Sequence, residues 1–284
     1  MTSPVVLHTV EELNHWRSAQ GHARVALVPT MGALHEGHLQ LVRRGREVAD
    51  LVIVSIFVNP RQFGANEDFD KYPRTLEADV AQLEGLADAI FAPSVDQMYP
   101  ADEDVPLQHA GPVGDLFEGA SRPGHFDGML TVVSRLFAVV KPDIAIFGQK
   151  DAQQVFLVSR MITEQHLPLE LVVVHTVREA DGLALSSRNR FLTEDERSQA
   201  VALPHALLAA ARQATHGNAG EIRHTGREAF EHYPLVRLDY LDVVDPTSFM
   251  PVPDDYRGPA TIVVAAVVGT TRLIDTENLE RIPA

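Results

Sequence analysis

Residues 24–38 read Arg24-Val25-Ala26-Leu27-Val28-Pro29-Thr30-Met31-Gly32-Ala33-Leu34-His35-Glu36-Gly37-His38, and the fold is decided by how this stretch is read. Arg24–Pro29 is a short apolar run of the kind that forms a strand buried on both faces. A glycine-containing turn follows. Residues 37–50 then have helical spacing, with Leu41, Val42, Gly45 and Val48 gathered on one side. A second apolar run, Leu51–Val58 (LVIVSIFV), comes immediately after, giving strand, helix, strand.

The alternation continues outward. The pattern predicts a helix over 76–86, a strand over 89–93, a mostly buried helix over 128–140, a strand over 143–147, a helix over 152–165 and a strand over 169–175. Repeated strand–helix alternation implies right-handed crossovers and a parallel sheet with helices on both faces, an α/β Rossmann-like fold. Ligands in such sheets lie beyond the carboxyl ends of the strands. Past about residue 185 the texture changes to Ala-rich helical stretches at 194–215 and 220–232 and strands at 237–244 and 261–268. The expected organisation is therefore a nucleotide- and substrate-binding domain over 1–185 and a smaller C-terminal α+β lid domain over 186–284.

Composition narrows the chemistry. The 284 residues carry 24 Lys+Arg against 39 Asp+Glu, a net charge of −15 that disfavours a large nucleic-acid footprint but leaves room for a local anion pocket. Cysteine is absent, which excludes disulfides, thiolate metal sites and a Cys nucleophile. The first residues (MTSPVVLHTVEELNHW) lack a cationic start and are not read as a signal peptide. The run Leu51–Val58 is far too short to span a bilayer, and the expected location is cytoplasmic.

Four segments carry chemistry. His35 and His38 flank Gly37 at the mouth of a helix, where unpaired N–H groups and the dipole attract phosphate. Three readings fit this pair: phosphate binding, a metal pair needing a third ligand, and two structural histidines. Asn59 and Gln62 follow the second strand, either gripping a small polar ligand or forming a surface turn. Gly148, Lys150 and Asp151 follow another strand, with Gln154 one turn on. Lys150 suits a phosphate and Asp151 a ribose hydroxyl, against a simple helix cap beside a solvated lysine. Finally, 177–190 runs through an Asp181-Gly182 turn to Ser186, Ser187 and Arg188, a set suited to a triphosphate or to an exposed cap.

Together, His-x-Gly-His and the Lys and Ser-Ser-Arg loops resemble the nucleotidyltransferase superfamily that includes class I aminoacyl-tRNA synthetases. Within it PTMGALHEGH (29–38), FVNPRQFG (57–64), Asp70–Thr75, RPGHFDGMLTVV (122–133), FGQKDAQQ (147–154) and VREADGLALSSRNRFL (177–192) are similar to pantoate–β-alanine ligases. The likeness reappears at 239–244 and at 269–275. It implies ATP-dependent condensation of pantoate with β-alanine to pantothenate through pantoyl adenylate, with Mg²⁺, releasing AMP and pyrophosphate. It also implies a homodimer, while the net charge and the short apolar runs give the expectation of no nucleic-acid or membrane partner. By the same resemblance His38, His35 and Lys150 are catalytic, with His38 the proton donor. ATP is bound by Met31, Gly32, His35, His38, Gly148, Lys150, Asp151, Val177, Leu185, Ser186, Ser187 and Arg188. Gln62 and Gln154 hold pantoate, with Gln62 beside β-alanine, and Arg122 and Asn59 make lesser polar contacts nearby. No carboxylate is assigned to Mg²⁺. Leu185 stands where the family usually has Met, a swap that nearly conserves volume. A different adenylyl- or cytidylyltransferase is the competing reading, but a phosphorylated substrate calls for Arg or Lys where Gln62 and Gln154 stand. A catalytically silent scaffold is the other, disfavoured by His35, His38, Lys150 and Arg188.

Overall fold

A computed structural model describes residues 3–64, 69 and 72–283; of the Asp70–Thr75 motif, Asp70 and Lys71 lie outside the described residues. The chain divides into two compact units, Met1–Gly148 with Leu157–Val174 and Gln149–Phe156 with His175–Ala284.

In the first unit a six-stranded parallel sheet is built from β1 (Val5–Leu7), β2 (Val25–Thr30), β3 (Leu51–Ile56), β4 (Ala89–Phe91), β5 (Ile144–Gly148) and β6 (Glu170–Val174). The spatial order is β1-β4-β3-β2-β5-β6. Every pairing is parallel, and Thr30 of β2 lies opposite Ile56 of β3, so these two strands end level. The apolar runs fill the middle of the sheet: Val25, Ala26, Leu27 and Val28 are fully buried, as are Val52, Ile53 and Val54. Crossovers run through α1 (Val10–Ala19), α2 (Glu36–Val48), α3 (Leu76–Leu83), α4 (Val95–Met98), α5 (Glu118–Ser121), α6 (His125–Val140) and α7 (Ala152–Glu164). The parallel α/β fold expected from the alternation is the one found. α6 begins three residues ahead of the predicted 128, because Phe126 extends its buried face. β1, not predicted, pairs with β4 at the sheet edge.

In the second unit α8 (Glu194–Gln199), α9 (Ala202–Gln213) and α10 (Ala219–Glu228) accompany an antiparallel sheet of β7 (Val236–Val244), β8 (Gly258–Val268) and β9 (Thr271–Ile282). Leu203, Leu207 and Ala210 of α9 and Ile222 of α10 join Leu241, Ile262 and Val264 of the sheet in one core. The predicted single helix over 194–215 is two, α8 and α9. The boundary expected at 185/186 differs from this division: residues 175–185 go with the second unit, since Arg178 forms an ion pair with Asp275 of β9. No described helix is long and apolar enough to cross a membrane.

Candidate active site

The turn after β2 is held by a buried carboxylate. Asp79 of α3 is 1% exposed and accepts from Ala33 N at 3.0 Å, Leu34 N at 2.8 Å and Thr75 Oγ1 at 3.2 Å. Gly32 has φ +82°, and an added Cβ would stand 3.0 Å from both Asp79 Oδ2 and Ile56 Cγ2, so a side chain there is both strained and crowded. Thr30 Oγ1 donates to Ser55 O at 2.7 Å and accepts from Gly32 N at 3.2 Å. Asp79 escaped the sequence reading because its partners lie 45 and 46 residues upstream.

This turn delivers two histidines to the N-terminus of α2, where they form a capping box. His35 Nδ1 accepts from Gly37 N at 3.1 Å, and His38 Nδ1 accepts from His35 N at 3.3 Å. The ring centroids are 4.1 Å apart. A backbone N–H can only donate, so each neutral ring carries its proton on Nε2. The histidines are thus caps of α2, with both rings held at the positive end of the helix dipole. Among the described residues no group of three His, Asp or Glu side chains is arranged to hold a metal ion.

Beyond β3, Asn59 and Gln62 are not a surface turn: they are 1% and 8% exposed. Asn59 Oδ1 accepts from Arg61 N at 3.2 Å and from Tyr99 Oη at 2.8 Å, and Nδ2 donates to Gly128 O at 3.0 Å and Gln62 Oε1 at 3.1 Å. The backbone partners fix which way the Asn59 amide points, and that in turn fixes the Gln62 amide, whose Nε2 donates to Met31 Sδ at 3.1 Å. The helix α6 comes so close that a Cβ on Gly128 would overlap Arg61 O. His125 Nδ1–H donates to Gln62 O at 2.9 Å, and Arg122 Nη1 donates to His125 Nε2 at 3.1 Å. Arg122, expected as a lesser contact, therefore supports His125. Burial pushes the Tyr99 hydroxyl up to about 12, with Arg61 and Arg135 opposing. Gly148 ends β5 in the same unit.

The remaining predicted residues belong to the second unit. Lys150, with a side chain 20% exposed and its Nζ 3.5 Å from Asp151 Oδ1, is not the solvated lysine of the simpler reading. Gln154 is half-buried near the start of α7. A hairpin spans 177–185: Leu185 N donates to Val177 O at 2.9 Å and Glu179 N to Leu183 O at 2.8 Å. Arg197 bridges Glu179 and Asp181, each at 2.8 Å. The Asp181 carboxyl is held below its usual range; burial opposes this, while the Leu183 N–H and Arg197 bring it about. Ser186 Oγ accepts from Arg188 N at 3.2 Å, capping a short turn over Ser187–Phe191. Ser186, Ser187 and Arg188 are half-buried rather than an exposed cap.

A parallel sheet whose carboxyl edge presents a histidine-capped helix N-terminus belongs to the class of nucleotide-binding α/β enzymes. The family model for pantoate-beta-alanine ligase matches residues 5–278. A pantothenate synthetase of Leifsonia xyli is 58% identical over 257 residues, covering 90% of this chain and 89% of that one. The crystal structure of pantothenate synthetase from Thermus thermophilus superposes with a TM-score of 0.91 at 46% identity, covering 99% of this chain and 100% of that one. The pantoate-beta-alanine ligase of Francisella tularensis, complexed with beta-gamma ATP and beta-alanine, gives a TM-score of 0.79 at 32% identity, with 97% of each chain covered. The chain belongs to the pantoate–β-alanine ligase family.

Proposed function

We propose that the family's ligation of pantoate to β-alanine proceeds here by adenylation. A pantoate carboxylate oxygen attacks the α-phosphorus of ATP and pyrophosphate leaves. The amine of β-alanine then attacks the acyl carbon, AMP departs, and the nitrogen loses a proton as the amide forms. A carboxylate meeting a phosphate is anion against anion, so the site must concentrate donors despite the net charge of −15. The observation that carries this reading is the His35–His38 capping box, whose rings are held at the N-terminus of α2 by backbone bonds to Nδ1. With no rotamer search left to make, they are ready for charge developing on the phosphates.

Lys150 and Arg188 add cationic donors for the triphosphate, with the Ser186 and Ser187 hydroxyls, the backbone around Gly148, Val177 and Leu185, and Asp151 completing the nucleotide contacts. Gln62 offers an amino edge, which suits an acceptor oxygen of pantoate, and Gln154 is assigned to the same substrate. Mg²⁺ neutralises phosphate charge when bound. It would be held there through substrate phosphate oxygens and its own waters, and no side chain is assigned to it. We further propose a cytoplasmic homodimer, which rests on the family resemblance alone and is checked by light scattering on the purified protein.

The test is single-turnover kinetics of both half-reactions. Pantoate-dependent pyrophosphate release should not need β-alanine. His38→Ala and Lys150→Ala should each slow it by about 10²–10³, the usual loss for one preorganised donor. Supplied pantoyl adenylate should react with β-alanine at a much less impaired rate, because no pyrophosphate leaves in that step. Equal loss in both halves would show that these residues serve only site integrity.

A further inference from the structure

We propose that Asp275, with its neighbour Thr276, is a positioning residue for adenylation, fixing from one point on β9 both loops that carry the phosphate-seeking groups of the second unit. The inference rests on reading Lys150 and Ser186–Arg188 as phosphate ligands.

Asp275 is 1% exposed and accepts a two-pronged bond from Arg178, Nη1 to Oδ2 at 2.5 Å and Nη2 to Oδ1 at 3.1 Å. Such a fork fixes the orientation of both partners as well as their separation. Arg178 Nη1 also donates to Gly182 O at 3.1 Å, so the guanidinium clamps the hairpin across its width. That hairpin closes through Leu185 N to Val177 O, and the next residue is Ser186. Asp275 thereby sets where the Ser-Ser-Arg turn begins.

The neighbouring residue reaches the other loop. Thr276 Oγ1 donates to Gln149 O at 3.2 Å, one residue before Lys150. The Gln149 side chain is itself tied, its Oε1 lying 2.7 Å from His175 Nδ1. Asp275 Oδ1 accepts from Thr276 N at 2.8 Å, which locks the two β9 residues to each other. Two adjacent residues thus hold segments nearly thirty positions apart in the chain. An ion pair buried only for stability is a poor device, since apolar residues of similar volume often do as well or better. As a geometric pin it has a purpose. Arg178 is engaged with Asp275, which leaves the phosphate role in this loop to Arg188.

The experiment compares Asp275→Asn, Thr276→Val and Lys150→Ala in the full-length enzyme, with thermal unfolding as a check on folding. Thr276→Val removes one hydroxyl and keeps the proposal testable where Asp275→Asn fails to fold. Asp275→Asn and Thr276→Val should each raise KM for ATP and slow single-turnover pyrophosphate release by about 10–100-fold, the cost of small misplacements of catalytic groups, against the larger loss expected of Lys150→Ala. Aminolysis of supplied pantoyl adenylate should change less than about threefold, because the phosphates it lacks are what the pinned loops serve. In the Lys150→Ala background, Thr276→Val should add little, since both act through one group. Full additivity, or equal loss in both half-reactions, overturns the positioning role. An unaffected Thr276→Val beside an impaired Lys150→Ala does so too while leaving the reading of Lys150 standing. An unimpaired Lys150→Ala removes that reading and the inference with it.

Discussion

Each unit buries one carboxylate to hold a loop of its own, and the two solve the problem differently. Asp79 in the first unit is satisfied by neutral donors, two backbone N–H groups of the loop it holds and one threonine hydroxyl. Asp275 in the second unit is satisfied by a guanidinium and one backbone N–H. Burial pushes the Asp275 carboxyl up, and Arg178 with the Thr276 N–H pulls against it. A neutral-donor anchor leaves only dipoles behind when it is removed. An ion-pair anchor leaves a charge. The two loops should therefore fail by different amounts and in different ways.

The largest effect is expected where a charge is stranded. Asp275→Ala should destabilise the second unit by about 3 kcal/mol, the low end of the range for breaking a buried pair. The low end applies because the Arg178 side chain is 28% exposed and regains some water. Native-state hydrogen exchange reads this as a fall in the opening free energy of β9 amides. A loss below about 1 kcal/mol would mean that the pair behaves as a surface bridge.

A smaller loss is expected at the neutral anchor. Asp79→Ala leaves Ala33 N and Leu34 N without their acceptor, at about 1–3 kcal/mol for a buried unpaired group. The cost should fall on the β2–α2 turn, with exchange protection lost at those two amides and the KM for ATP raised. Asp79→Asn keeps one acceptor oxygen and should retain part of the protection. Equal losses in the Asn and Ala variants would show that the carboxylate matters only as filler.

What the sequence revealed and what it hid follow the same division. Five strands of the six-stranded sheet were legible because buried parallel strands are continuous apolar runs, as in 25–28 and 51–54. The His35–His38 pair was legible because a helix cap is local. β1 was hidden by its shortness, three residues paired only at the edge. β9 was hidden by its polarity: TRLIDTENLERI includes five charged residues, although the two-residue turn Gly269-Thr270 after β8 marks a hairpin. Asp79 and the Asp275–Arg178 pair were hidden for a different reason. The loop groups they hold lie 45 or more residues away, and no local pattern announces which carboxylate will be buried. Gly128, within a motif that was noticed, shows its meaning only against the Arg61 carbonyl it approaches.

The last test sharpens the contrast at alkaline pH, where neutral and ionic anchors part company. Tyr99 belongs to the neutral network of the first unit, donating to Asn59 Oδ1 at 2.8 Å. Burial raises its hydroxyl from 10.0 to about 12, because the phenolate is poorly solvated there. The sign follows from proton binding. Between those values the unfolded chain has released the proton and the folded chain has not, so the contribution is complete below pH 10 and is lost as pH rises toward 12. The Arg178–Asp275 pair should stay intact over the same interval, since burial works against the guanidinium charge but Asp275 and Glu277 raise the Arg178 value above its usual one. Alkaline difference absorbance of wild type against Tyr99→Phe should therefore show one phenol ionising near pH 12. Exchange protection around Asn59 and Gln62 should fall in that window while β9 remains protected. A Tyr99 transition near pH 10 would mean that the hydroxyl is solvated, and that Arg61 N and Gly128 O alone orient the Asn59 amide.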